Sequence, residues 1–417
     1  MINFAKLQIF SVLNLPYFLA KRITVQGQRT FSKLIVWVTI GAMAIAIMAI
    51  ILAMAILDGF KKEVTDKQRG FFGDIHITSG GLFDPSDQTP FSLTAQEVLA
   101  IKEHPKVLQV YPVASKPGII KADEEVEGLM FKGVDPSYDQ RYFSDLLTRG
   151  DTLDFASENA IEQVLLSEHT ARRLLLEPGD TFIMYFLQER IRPRRLLVKG
   201  LFKTGAQEVD ANYLIGNLEL LQRVGDFQDA EVGGYELRVA DLESIYGVSE
   251  ELQEQLPDGL YARSILQEMP ELFSWLEMLD VNDDVIFVLM SIVAVINIIS
   301  ALLISILERT SMIGVLKALG MNNWQIRKVF FFNSFYLIGY GLLIGNVLTM
   351  AVYFFQRTTH FFKLDPNIYY IDHVPMLIQP LDVVLLNVAL AAVALFALLV
   401  PSLLIAKISP IKTIQFK

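Results

Sequence analysis

The chain has 417 residues, 52% of them apolar, and a mean hydropathy of +0.39, which excludes a soluble protein of ordinary composition. The formal net charge is −10. Cysteine is absent, which excludes disulfides and a lipid-modified cysteine and says little about compartment.

Residues 1–33 read as a cytoplasmic amphipathic leader. Phe4–Ile23 mixes apolar residues with Lys6, Lys21 and Arg22, which suits either an interfacial helix or an unstructured basic segment. Residues 34–57 carry no ionisable side chain and are long enough to cross about 30 Å of hydrocarbon. This stretch runs into Asp58, Gly59 and Phe60 without a small-residue cleavage site, so it is not a signal peptide. Ala42, Ala46, Ala49 and Ala53 line one face of the span, where small residues permit close helix packing within the subunit or across a dimer.

Residues 58–284 read as one large extracytoplasmic domain entered and left by stalk helices, Leu57–Phe71 and Glu271–Asp284. Between the stalks the pattern is mixed α/β. Asp74–Gly80, Val107–Val113, Gly128–Val134, Thr181–Leu187, Arg195–Phe202 and Tyr235–Val239 read as strands. Thr94–His104 reads as a helix, and Val164–Asp180 as a strand, a helix and a turn at Pro178–Gly179.

Three further charge-free spans follow at 285–307, 329–355 and 383–406. Span three carries Gly341-xxx-Gly345, a second close-packing motif. Asn297, Ser300, Asn333, Asn346 and Asn387 are uncharged polar residues within spans, expected to form interhelical hydrogen bonds. Residues 308–328 form a short cytoplasmic loop, 356–382 an outer loop and 407–417 a cytoplasmic tail.

Charge sets the expected orientation. Residues 58–284 hold 22 Lys and Arg against 42 Asp and Glu, whereas the leader, the 308–328 loop and the tail are basic. The positive-inside rule then places both termini and the loop in the cytoplasm of a multi-pass membrane protein.

The chain lacks a GxxxxGK[ST] phosphate loop, a GxSxG motif and any spaced set of metal ligands, so it is expected not to be an enzyme and to bind no cofactor itself. Its histidines, His76, His104, His169, His360 and His373, are scattered outside the spans and read as surface or strand residues. The spans also hold no ionisable group of the kind that ion-coupled transporters use, so energy is expected from a partner. No nucleic-acid partner is expected.

Within the loop, Met312, Ile313, Leu316 and Leu319 share one helical face, and Gly320 stands where that helix would stop. Asn322 or Asn323 would cap the next helix. An apolar-faced helix on an aqueous side predicts docking into a partner's groove, with Gly314 allowing close approach and Glu308 and Lys317 at the rim. Met54 and Leu57, with Val285 and Leu289, are the candidates for an apolar cavity at the outer ends of spans one and two.

The strings Ser32–Val64, with its DGF, Val293–Phe330, with its ER…IGVLKALG, and Val400–Gln415, with its P…A…SPI…I, resemble the FtsX/MacB permease superfamily. Within it they are most similar to the transmembrane subunits of the lipoprotein-releasing (Lol) system. The resemblance implies an α-helical membrane domain of four transmembrane helices and a large mixed α/β domain, a MacB-like periplasmic core, carried on stalk helices. It implies a type VII ABC transporter. Two such permeases, identical or homologous, would sit over a cytoplasmic ABC ATPase dimer that binds ATP and Mg. The implied cargo is a triacylated lipoprotein handed to a periplasmic carrier. Two other readings remain: a mechanotransmitting regulator of a periplasmic hydrolase, like FtsX, and a MacB-type efflux permease. The carrier-docking loop of the Lol subunits corresponds here to the short Leu187–Arg195, where Arg190, Arg192, Arg194 and Arg195 would face an acidic carrier or form a solvated hairpin tip.

Overall fold

The computed structural model describes residues 30–80, 88–122, 125–187, 191–365, 371 and 373–399. The expected interfacial leader helix, Arg190, the Val400–Gln415 motif and the tail lie outside these residues.

In chain order the elements are α1 (Thr30–Phe72), β1 (Ile75–Ser79), α2 (Ala95–Lys102), β2 (Val107–Ala122), β3 (Glu125–Val134), α3 (Gln140–Leu146) and β4 (Leu147–Gly150). Next come β5 (Gln163–Ser167), α4 (Glu168–Leu174), β6 (Thr181–Phe186), β7 (Arg192–Phe202), α5 (Gln207–Asn212), β8 (Tyr213–Asn217), α6 (Leu218–Val224) and β9 (Gly234–Val239). The remainder is α7 (Ile245–Gln253), β10 (Leu260–Ser264), α8 (Ile265–Glu268), α9 (Pro270–Glu308), α10 (Thr310–Ala318), α11 (Asn323–Thr359) and α12 (Pro380–Ala397).

These elements form two compact units. One comprises residues up to Phe60, Glu277–Phe362 and the chain from Val374; the other comprises Lys61–Leu276 with Lys363–His373. Among the described residues four helices, α1, α9, α11 and α12, are long and apolar enough to cross a membrane. Their packed core includes Met43, Ile47 and Ile50 of α1, Ile298 and Leu302 of α9, Ile338 of α11 and Leu390 of α12. Large apolar side chains such as Trp37, Leu343 and Val388 remain exposed, as suits surfaces bathed in lipid.

The second unit is built on one ten-stranded sheet in the order β10-β1-β9-β2-β3-β8-β5-β7-β4. Because β6 pairs with both β2 and β7, strands β2, β3, β8, β5, β7 and β6 close into a small barrel. Alternation fills it: Phe182, Met184 and Phe186 of β6 point inward, with Phe131 of β3, Leu166 of β5 and Leu196 and Val198 of β7 in the same core. Thr94 and Glu97 form a reciprocal capping box that starts α2.

Strand β2 extends nine residues beyond the expected Val113, because its far half pairs with β3 and β6. Strands β4, β8 and β10 and helices α3, α5, α6 and α7 go unread in the sequence; each is nine residues or shorter.

Candidate functional site

A helix leaves its last four carbonyls without intrahelical partners. At the end of α1 the last four carbonyls are those of Arg69, Gly70, Phe71 and Phe72; the Gly73 amide turns back to that of Arg69, and side chains from three strands meet all four. Arg238 of β9 donates to the Arg69 and Gly70 carbonyls, Lys132 of β3 to that of Phe71, and His76 of β1 approaches that of Phe72 through Nε2. Positive charge at a helix C-terminus is favourable by about 0.3–2 kcal/mol per group, more where water is excluded.

The cations are themselves countered. Lys132, 3% exposed, lies 2.6 Å from Glu236 and 4.7 Å above the Phe71 ring, and the Tyr138 hydroxyl donates to Glu236 over 3.0 Å. Burial pulls the Lys132 ammonium down, opposed by the Glu236 carboxylate. Burial drives the Tyr138 hydroxyl well above its ordinary value and that of Tyr213 up to about 12. Arg69 donates to both carboxylate oxygens of Asp74, and Oδ2 also accepts the Val239 amide at 2.7 Å. His76 Nδ1 meets Glu268, two residues before α9 begins. Burial pulls the His76 imidazole down, but the Glu268 carboxylate beside it, aided by Glu236, leaves it raised above 6.5.

None of these residues stands out as a motif. The available signal is charge inside three apolar strands: His76 in IHITS, Lys132 in GLMFKGV and Glu236 with Arg238 in GYELRV. A buried charge requires a partner, so three such strands in one sheet point to one network.

In the membrane unit, the loop helix α10 ends in paired bonds, Met321 N to Leu316 O and Gly320 N to Lys317 O, with Gly320 at φ +91°. Asn322 then caps α11 in a box with Gln325. The expected docking face requires correction. Ile313 is fully buried, and Met312 and Leu316 pack against the same core, so the unit itself covers most of that face. Gly314 is buried; Glu308 and Lys317 are half-buried; Gly320 is exposed. Val315, Leu319 and Trp324 form the outward apolar surface, Leu319 being 79% exposed.

The cavity residues do not converge. Met54 packs against the core and lines a narrow crevice with Asp382 and Leu386 of α12 and Leu377. Leu57 is half-buried, while Val285 and Leu289 stand on the outer face of α9 with Val288, Ile292 and Ile296. The expected cavity between the first two spans is therefore not formed by these four side chains.

The packing residues divide likewise. Gly341 and Gly345 are buried against α1, and a Cβ on Gly345 would sit 2.9 Å from the Ala44 carbonyl oxygen and 3.0 Å from Ile47 Cβ. Of the four alanines only Ala46 is buried; Ala42, Ala49 and Ala53 are half-exposed. The face of α1 that receives the glycines carries Met43, Ala44 and Ile47 instead. Asn346 and Asn387 exchange side-chain hydrogen bonds of 2.8 and 3.1 Å between α11 and α12.

Among the docking arginines, Arg192 is committed within the domain. It pairs with Asp226 through its two terminal guanidinium nitrogens and donates to the Val224 carbonyl. Arg195 donates to Thr181, and Arg194 to the Pro193 carbonyl. All three lie on β7 rather than at the hairpin tip.

The FtsX-like permease C-terminal model matches residues 285–410. The lipoprotein-releasing system transmembrane protein LolC of Neisseria meningitidis is 23% identical, covering 97% of this chain and 98% of that protein. Lipoprotein-releasing system transmembrane protein LolE of Haemophilus influenzae is 21% identical, covering 96% and 99%. The periplasmic region of MacB from Actinobacillus actinomycetemcomitans aligns with 47% of this chain and 91% of its own, at 16% identity and a TM-score of 0.32. The MacB-like periplasmic core domain model matches residues 36–255, more than half of the sequence, and the chain belongs to this family of FtsX/MacB-type ABC transporter permeases of the inner membrane.

Proposed function

We propose that this permease releases lipoproteins from the inner membrane for transfer to a periplasmic carrier. It works as one of two paired permease subunits over a separate cytoplasmic ATPase dimer that binds ATP and Mg. The observation that carries this reading is similarity to two lipoprotein-releasing transmembrane proteins along almost the whole of both chains. A soluble-side match alone would leave the membrane function open; here both units take part. The absence of a phosphate loop in the sequence supports a separate ATPase.

The outward apolar face of α9, from Val285 to Ile296, supports a second subunit. Four helices make a thin wall, and acyl chains would find an apolar slot only where this face meets another permease. Val315, Leu319 and Trp324 are the loop residues left for the ATPase, with Glu308 and Lys317 beside them. Carrier docking would rest on Arg194 and the segment before β7, since Arg192 is held by Asp226.

The test reconstitutes the chain in vesicles with the ATPase that copurifies with it and a triacylated lipoprotein. ATP-dependent movement of the lipoprotein to a soluble carrier is the expected outcome. Hydrolysis that proceeds without release, while a periplasmic hydrolase becomes active, would establish the regulator instead. Export of a soluble small molecule would establish MacB-type efflux.

A further inference from the structure

The His76 ring is buried between two acceptors. Nδ1 faces the Glu268 carboxylate and Nε2 faces the Phe72 carbonyl, which closes α1. A neutral imidazole has one N–H and can satisfy one of these; only the imidazolium, with two, satisfies both. The two acceptors belong to different parts of the chain. Phe72 ends α1, and Glu268 ends α8, two residues before Pro270 at the start of α9. Sequence separates them by nearly two hundred residues, and one ring joins them.

We propose that His76, in its doubly protonated form, is a positioning residue that latches the end of α1 to the start of α9, and that loss of its second proton opens the latch. The inference does not depend on which cargo the permease handles.

The surroundings bear this out from every side. In register with His76 are Glu236 on β9 and Arg263 on β10, so both share its face of the sheet. Glu236 is paired with Lys132 from β3, and Arg238 and the Tyr138 hydroxyl complete that cluster. Asp74, the residue before β1, is held by Arg69, and its carbonyl accepts the Ile265 amide at the start of α8. The backbone of α8 is thus fixed to β1 already. What the imidazolium adds is the side-chain tie to Glu268, whose second oxygen is buried without a hydrogen-bond partner. A carboxylate in that position relies on the charge of His76. Because the ring's folded-state value is raised, its contribution is complete below pH 6.5 and is lost as pH rises through the raised value.

The lack of native cysteine makes a direct measurement simple. Spin labels on Lys62→Cys and Ser274→Cys, both exposed, would report the distance between the end of α1 and the start of α9 in the full chain in lipid nanodiscs. From about pH 6 to about pH 9 the wild-type background should pass from one narrow distance distribution to a broader one. Above the midpoint the ratio of narrow to broad forms should fall about tenfold per pH unit, as for release of one proton. His76→Gln should give the broad form at every pH, with no step. Glu268→Gln, which keeps an acceptor but removes the charge, should move the step to lower pH and guards against a His76 variant that fails to fold. A wild-type distribution that is unchanged over this range would overturn the proposal. So would a step that persists unaltered in either variant.

Discussion

Lys132 lies in an apolar strand, and its burial is tolerable because Glu236, the Phe71 carbonyl and two aromatic faces surround the ammonium. Such pairs are costly to break rather than strongly stabilising in themselves. Lys132→Met should therefore destabilise the chain by about 3–5 kcal/mol, since Glu236 keeps its charge without its partner. Lys132→Met with Glu236→Leu should recover most of that loss, as read from denaturant unfolding of the detergent-solubilised protein. Equal losses in the single and double variants would place the energy in packing instead. The glycines of α11 pose the opposite problem, with no room to add atoms. Gly345→Val would push into the Ala44 carbonyl and Ile47 and should cost about 1–3 kcal/mol, seen as a lower Tm. The glycine motif was legible because only a missing side chain permits such contact. Its counterpart was not, since a row of alanines and a row of larger residues on α1 are equally apolar, and only the fold selects Met43, Ala44 and Ile47.

Punctuation was legible at the scale of elements, and the destination of faces was not. Gly320 ends α10 and Asn322 starts α11 because backbone conformation and capping are local chemistry. Helical spacing likewise marked Met312, Ile313 and Leu316 as one apolar face, but periodicity cannot say whether a neighbour in the same chain or a partner covers it. The barrel closure escaped for a related reason: β6 reaches β2 across some sixty residues, and its pairing leaves no local trace. The two halves of the α10 surface now have different expected phenotypes. Leu316→Asp should weaken the membrane unit itself and lower its Tm, because a carboxylate enters the core beside Ile313. Leu319→Asp should leave Tm unchanged and reduce copurification of the ATPase. If Leu319→Asp binds its ATPase normally, the outward face of α10 is not the docking surface. Asn387→Leu tests the amide pair and should cost about 0.6–2 kcal/mol, the range for hydrogen bonds between membrane helices.

For the whole molecule, hydropathy made the four apolar helices legible because hydrocarbon demands long uncharged helices whatever the tertiary fold. The α/β domain was legible as a class and only partly as a topology, because β4, β8 and β10 are short and paired over long distances. Charge carries a further consequence that geometry alone does not. The segment 58–284 has 42 acids against 22 bases and so a strong net negative charge, while Arg309, Lys317, Arg327 and Lys328 crowd the 308–328 loop against Glu308 alone. Basic residues beside membrane spans are retained on the cytoplasmic side, and long domains cross largely regardless of charge. The α/β domain and the loop should then face opposite compartments, with the single crossing of α9 between them. Cysteine-free sequence permits the test without background labelling. Ser92→Cys, exposed in the domain, should react with a membrane-impermeant maleimide added to spheroplasts, whereas Ser311→Cys, exposed on α10, should react only after the membrane is opened. Reaction of both positions before opening would overturn this orientation, and with it the assignment of α10 to the ATPase side. Reaction of Ser311→Cys alone would invert the molecule. The proposed lipoprotein transfer requires the first result, because a carrier outside and an ATPase inside must each find its own unit.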